Sequence, residues 1–209
     1  MDRWETGRIE AFSDGVFAIA ITLLVLDIDV PESAFDNLWR GFVDQWPAYL
    51  AYATSFVTIG GIWMLHHGVF RRLRSANNVV MRVNLLLLMA VSFLPFPTRL
   101  VAEAITSGSA ERAAVVIYGA SLLVISLVFG ALSYAIARDP ELLQPGVGAD
   151  EVKQMIRRVR PNAGFYVGFT VIAGVAPRVA AFGFLASSIA AVLRTRGDSG
   201  APGAEPSRG

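Results

Sequence analysis

The sequence predicts an all-α integral membrane protein of six transmembrane helices. Three observations predict it: an apolar composition, six apolar stretches near bilayer length, and basic residues sorted to alternate connections. Of the 209 residues, 54% are hydrophobic and 17% charged, with a mean hydropathy of +0.52. Soluble domains hold about 45–50% apolar residues, glycine included, and about 25% charged ones. Here the 19 glycines come on top of the 54%, so the apolar excess is larger than it looks. A soluble domain of this length needs more charge to cover its surface, which argues against a soluble enzyme. The net charge of +1 supplies no basic field for nucleic acid. Zero cysteines exclude disulfides, thiolate catalysis and Cys-based zinc sites, and two histidines, His66 and His67, do not make a His-rich metal cluster.

The first apolar stretch, residues 9–30, exceeds the about 20 residues that cross a bilayer. It contains Asp14 and ends in Asp27 and Asp29, so it does not read as a cleaved signal peptide. Residues 46–70, 79–101 and 113–137 are comfortable spans as well. The last two stretches, 161–176 and 178–194, are short, and Pro177-Arg178 between them reads as a tight break. Charge favours two spans over one kinked helix. With the N-terminus inside, the inner segments carry 14 of the 18 basic residues and the outer ones only Arg40, Arg99, Arg112 and Arg178. A single span over 161–194 would carry Arg194 and Arg196 outside. Both termini are therefore expected in the cytoplasm, with the chain multi-pass in the plasma membrane. Residues 1–196 form the expected six-helix transmembrane domain, and 197–209, made of Gly, Pro, Ser and charge, read as a disordered cytoplasmic tail. Between the fourth and fifth spans, a Pro/Gly loop leads into Asp150–Arg160, which reads as a short basic helix at the membrane surface.

Ionisable and polar groups inside spans are costly and mark functional hypotheses. Ser13 and Asp14 in the first span, His66 in the second and Asn84 in the third share a depth near the inner end. They can satisfy one another's hydrogen bonds away from water. Structural glue fixing helix register, and gating or proton sensing through His66, are both open readings. His67, about 100° round the helix, reads as an ordinary interfacial residue.

At 100° per residue, Ile19, Leu23 and Leu26 form one seam with Thr22 on its flank, while Asp14 lies about 140° from Ile19. Such a seam means packing, lipid contact or a hydrophobic pore constriction that gates by dewetting, and spacing does not choose among them. The outer connection carries Asp27, Asp29, Glu32, Asp36 and Asp44 against Arg40 alone. Near a pore mouth those acids would concentrate cations; elsewhere they are a solvated loop. There is no TVGYG-like filter, no regular Arg spacing of a voltage sensor, and no Walker or GxGxxG loop. Gly60-Gly61 read as close helix packing.

Arg8-Ile9-Glu10-Ala11-Phe12-Ser13-Asp14 reads RxxxFSD and runs into Gly15-Val16-Phe17-Ala18-Ile19-Ala20-Ile21-Thr22. This resembles the first helix of the transmembrane protein 175 family, the endolysosomal potassium channels and their prokaryotic relatives. Trp63-Met64-Leu65-His66, Asn84 and Phe93-Leu94-Pro95-Phe96 match the same pattern, so the likeness covers about the first half of the chain by motif and the second by topology. The resemblance implies a potassium-permeable channel, with potassium and other monovalent cations as permeants, membrane lipids as surroundings and no cofactor. Animal members carry two six-helix repeats; a single-repeat chain implies a homotetramer with its first helices around the axis. It further implies that Ile19 forms the main constriction, with Leu23 and Leu26 as rings further out, and that Thr22 contributes to cation preference. Arg8, Phe12, Ser13 and Asp14 would be the motif that His66 and Asn84 tie to the second and third helices. Without a carbonyl filter, such a pore must widen and wet to conduct, with modest selectivity from hydroxyls and partial dehydration. The rival readings are a proton-coupled transporter using Asp14 and His66, disfavoured by the lack of repeat symmetry, and a non-conducting scaffold.

Overall fold

The computed structural model describes residues 4–29, 35–104, 110–148, 164–177, 179–180, 182–186 and 189. Helix α1 (Thr6–Leu23) tightens into a 3₁₀ turn over Leu24–Asp27 and ends in extended backbone at Ile28. The apolar run is spent there, with Asp27, Asp29 and Pro31 following. A short α2 (Leu38–Asp44) is capped by Asn37, whose side chain accepts from the Arg40 backbone N–H at 3.2 Å. Its Leu38, Trp39, Phe42 and Val43 are all exposed, as suits an aromatic belt at a membrane–water boundary.

Helix α3 (Trp46–Phe70) starts with Pro47 in its first turn, where the missing N–H costs nothing. Helix α4 (Asn78–Phe93) starts on Asn77, whose side chain accepts from the Val80 N–H at 2.9 Å. The third span is not one smooth helix. It breaks at Leu94 and resumes as α5 (Pro95–Ala104), because Pro95 and Pro97 bring no N–H groups. The Val91 carbonyl that Pro95 leaves bare accepts from the Leu94 N–H at 3.1 Å, and Thr98 directs both its backbone N–H (3.2 Å) and its hydroxyl (2.8 Å) to the Leu94 carbonyl. Helix α6 (Glu111–Ala137) follows, then a 3₁₀ turn over Pro140–Leu142. A ten-residue apolar helix, α7, spans Gly164–Ala173.

Among the described residues, four segments are long and apolar enough to cross a membrane: Thr6–Asp27, Trp46–Phe70, Asn78–Ala104 and Glu111–Ala137. The second has the expected bounds, the third and fourth are a few residues longer, and the first sits three residues earlier than 9–30. Within the expected fifth span, α7 is shorter than a bilayer crossing. Most of 178–194, the expected basic helix at 150–160 and the tail at 197–209 lie outside the described residues.

Helix α1 packs between α3 and α4, α4 packs on α6, and α5 fits between α3 and α6. Phe17, Leu24, Ile59, Phe70, Leu87, Val91, Leu122 and Leu132 fill the core. In lipid such contacts hold by dispersion and interhelical hydrogen bonds, since lipid tails are as apolar as the core. One hydroxyl chain supplies the second kind of contact. Ser55 Oγ lies 2.7 Å from Thr98 Oγ1 and 3.0 Å from the Tyr118 hydroxyl, all buried. The order Tyr118 to Ser55 to Thr98 to Leu94 carbonyl lets every hydroxyl donate once. At the other end, the loops are laced by backbone bonds. Trp4 pairs both ways with Ala76, the Arg74 N–H donates to Leu142 at 2.8 Å, and the Gln144 N–H donates to Arg72 at 2.9 Å.

Candidate functional site

Helix α1 has two distinct faces. Ile9, Ser13, Phe17, Ala20 and Leu24 recur at helical spacing and are buried against α3 and α4. On the opposite face Arg8, Phe12, Gly15, Ile19, Thr22, Leu23 and Leu26 are exposed along the whole helix. Ile19 is 61% and Leu26 73% exposed, high values for branched apolar side chains on a helix packed between two others. Small residues (Ala11, Gly15, Ala18) occupy the N-terminal half of this face and bulky ones (Ile19, Leu23, Leu26) the C-terminal half. The Thr22 hydroxyl donates to the Ile19 carbonyl at 2.9 Å. Its proton is therefore engaged with the helix, and its oxygen lone pairs remain free on the exposed side.

The buried face carries a polar relay. Ser13, His66 and Asn84 are each fully buried. The Ser13 hydroxyl donates to the Ile9 carbonyl at 2.8 Å, and Asn84 Nδ2 donates to Ser13 Oγ at 3.1 Å. Asn84 Oδ1 lies 2.8 Å from His66 Nε2. An amide oxygen only accepts, so the proton of this bond sits on Nε2. His66 Nδ1 is buried and makes no hydrogen bond among the described residues. The ring is clamped by Phe70 (centroids 4.3 Å apart) and Phe17 (5.3 Å). Three helices are thus joined at one level.

Asp14 stands beside this relay, with a different partner. Half-buried, it accepts from the Trp63 indole N–H at 2.8 Å. His67 is more than an interfacial residue: its Nδ1 lies 2.7 Å from Glu10 Oε1, and its ring stacks on Trp63 with centroids 5.7 Å apart. Sequence reasoning missed Glu10 and the roles of Trp63 and His67. The signal was there as two i, i+4 pairs, Glu10/Asp14 on α1 and Trp63/His67 on α3, each presenting one patch to the other helix.

At the far end of α1, Asp27 is half-buried and Asp29 exposed. Helix α5 packs on the 3₁₀ turn that carries Asp27. Its Arg99, bound to Glu103 at 2.7 Å, interacts electrostatically with both Asp27 and Asp29. Arg40 reaches Asp44 at 3.9 Å, while Asp36 is exposed and Glu32 lies outside the described residues.

The family model described as the endosomal/lysosomal potassium channel TMEM175 matches residues 8–95, the stretch that holds α1, the relay and the Pro95 break. A potassium channel of Streptomyces collinus is 40% identical over 173 residues, covering 82% of each chain. The crystal structure of a lysosomal potassium-selective channel TMEM175 homolog from Chamaesiphon minutus superposes with a TM-score of 0.82 at 37% identity, covering 91% of this chain and 97% of that one. A Gallus gallus protein described as the endosomal/lysosomal proton channel TMEM175 is 40% identical over 105 residues, of which this chain spans 21% of the length. With the RxxxFSD helix, the Ser13–Asn84–His66 relay and full-length relatives in agreement, the chain belongs to the TMEM175 family.

Proposed function

We propose that this chain is a potassium-permeable cation channel of the plasma membrane, with residues 1–196 as its channel domain and 197–209 as a cytoplasmic tail. Its family consists of channels and not enzymes. The protomer has six transmembrane helices with both termini in the cytoplasm, and four copies assemble with α1 around a central axis. One observation carries the reading: α1 packs between α3 and α4, yet keeps one face continuously exposed from Arg8 to Leu26. A helix at the centre of a fold leaves such a face bare when something else is to meet it. Copies of the same helix around an axis would line a pore with it.

In that arrangement Ile19 forms the main constriction and Leu23 and Leu26 further rings towards the outer mouth. The small Ala11, Gly15 and Ala18 leave wider space on the inner side. A ring of branched apolar side chains excludes water and ions until it widens, which is gating by dewetting. Thr22 presents oxygen lone pairs between these rings, and a hydroxyl oxygen suits a partly dehydrated potassium ion. Asp27 and Asp29 draw cations to the mouth, moderated by Arg99. The Ser13–Asn84–His66 relay, with Asp14 beside it, holds the opposite face of α1 in register, whereas Arg8 and Phe12 of the same motif lie on the exposed face.

The test is potassium flux through the purified chain in liposomes, driven by voltage without a proton gradient. Ile19→Ser should raise that flux several-fold without lowering thermal stability, because Ile19 is exposed in the protomer. Flux that depends strictly on a proton gradient would replace this reading with proton-coupled transport through Asp14 and His66. The proton-channel description of the animal relatives favours that second reading. An Ile19→Ser chain conducting like wild type would remove the constriction from Ile19.

A further inference from the structure

Outside the exposed stripe of α1 and the relay, one cluster of side chains among the described residues has metal-ligating chemistry. Glu10 and Asp14 on α1 and His67 on α3 are half-buried, and one donor atom from each lies within 4.8 Å of the others. We propose that Glu10, Asp14 and His67 form a binding site for a divalent transition metal of the zinc type, bridging the N-terminal half of α1 to the C-terminal end of α3.

The donor set is one imidazole nitrogen and two carboxylate oxygens. This is a borderline set that suits Zn²⁺ and its neighbours, whereas Mg²⁺ and Ca²⁺ favour all-oxygen shells. Bonds of about 2.0–2.2 Å put donors no more than about 4.4 Å apart across an ion. The separations here, up to 4.8 Å, need only a small inward movement of flexible carboxylates. His67 Nδ1 lies 2.7 Å from Glu10 Oε1 yet makes no hydrogen bond among the described residues, so an ion would take both atoms as ligands without breaking one. Two carboxylates offset the charge of the ion.

Trp63 orients the donors, as the outer partners of metal ligands do elsewhere. Its indole N–H holds Asp14 Oδ1 at 2.8 Å and leaves Oδ2 for an ion. Its ring stacks on His67 at an interplanar angle of 25° and fixes the imidazole plane. One side chain thus positions two ligands from two helices. The His67 side chain is 38% and the Glu10 side chain 22% exposed, and an ion would enter past them to the buried Nδ1.

The composition makes the test clean. There is no cysteine, and the other histidine, His66, is fully buried with Nε2 bound to Asn84. Imidazole-dependent zinc binding must therefore run through His67. Untagged, chelator-treated protein in detergent is titrated with Zn²⁺ by calorimetry, and its melting temperature is followed in parallel. One ion per chain is expected, with a raised melting temperature and no comparable response to Mg²⁺. His67→Ala and Glu10→Gln should each lower the zinc affinity at least tenfold, and Trp63→Phe by about tenfold or more through the lost indole bond. Glu10→Gln is nearly isosteric and guards against misfolding of the His67 variant. A wild-type chain that takes up no Zn²⁺, or binding that survives both ligand variants, overturns the site. The three side chains are then a polar contact between α1 and α3, held by the Trp63–Asp14 bond. Neither readout uses ion flux, so failure here leaves the channel reading untouched.

Discussion

Asn84→Ala is the sharpest perturbation of the relay. The wild-type amide is fully buried, accepts from His66 Nε2 at 2.8 Å and donates to Ser13 Oγ at 3.1 Å. Truncation affects the two partners unequally. Ser13 loses an incoming bond but still donates to the Ile9 carbonyl at 2.8 Å. His66 is left with an N–H between Phe17 and Phe70 and nothing to receive it. A buried donor orphaned in this way costs about 1–3 kcal/mol. Interhelical hydrogen bonds in membranes average only about 0.6 kcal/mol and reach about 1.7, because the unfolded chain finds partners too. Both scales together place the loss at about 1–2 kcal/mol, most of it from His66. For a chain of this length that corresponds to roughly 2–8 °C of melting temperature in detergent. Replacing both partners, as Asn84→Leu with His66→Phe, removes the orphan and should recover most of the loss. Thermal unfolding of the single and double variants measures the coupling directly. An Asn84→Ala chain that melts with wild type, or single-variant losses that simply add, would refute the relay as an energetic unit.

Trp63→Phe keeps the stack on His67 but deletes the 2.8 Å bond to Asp14, and should lower stability by about 1 kcal/mol at this half-buried site. Combining it with Asp14→Ala, which removes the acceptor, should cost little more than either alone, as read by thermal unfolding. Tyr118→Phe removes the donor that meets Ser55 at 3.0 Å, and should cost about 1 kcal/mol by equilibrium unfolding in mixed micelles. Adding Thr98→Val should deepen that loss and Thr98→Ser should not, since Val keeps only the backbone bond to the Leu94 carbonyl (3.2 Å) and loses the hydroxyl bond at 2.8 Å. Gly119→Ala would bring a methyl against Thr170 Oγ1 and to 2.9 Å from Phe184 Cζ, and overpacking of this kind costs about 1–3 kcal/mol. A Gly119→Ala chain as stable as wild type would mean that Thr170 and Phe184 do not pack on α6 as seen.

The four long membrane segments were legible in the sequence because hydropathy is a local property. A run such as Trp46–Phe70 is apolar whatever it packs against, and its bounds come out the same either way. The depth of Ser13, His66 and Asn84 was equally legible, since helical rise converts residue number into height. Which groups bond at that depth was not. Asp14 and Ser13 are adjacent in sequence but about 100° apart on the helix. One turns to Asn84 on α4 and the other to Trp63 on α3, a choice set by how α1 is rotated between its neighbours. The break at Leu94 is a middle case. Pro95 and Pro97 announce it, but the Leu94 N–H turning to the Val91 carbonyl, and the Thr98 hydroxyl to the Leu94 carbonyl, appear only once the helix is built.

By itself, then, the sequence determined that this chain belongs in a membrane, how its long apolar segments are bounded, and which motif opens the first of them. Composition, run length and the RxxxFSD pattern are one-dimensional quantities, and no packing alters them. The tertiary structure decided which face of α1 is covered. The Ile19–Leu23–Leu26 seam is as apolar as Ile9–Phe17–Leu24 on the other side, and periodicity cannot rank two apolar faces of one helix. Docking against α3 and α4 buries one face through Ser13, Asn84 and His66 and leaves the other bare. The polar residue on the buried side breaks the tie: three hydrogen-bonding groups lose much more by facing lipid than a few leucines gain by choosing either side.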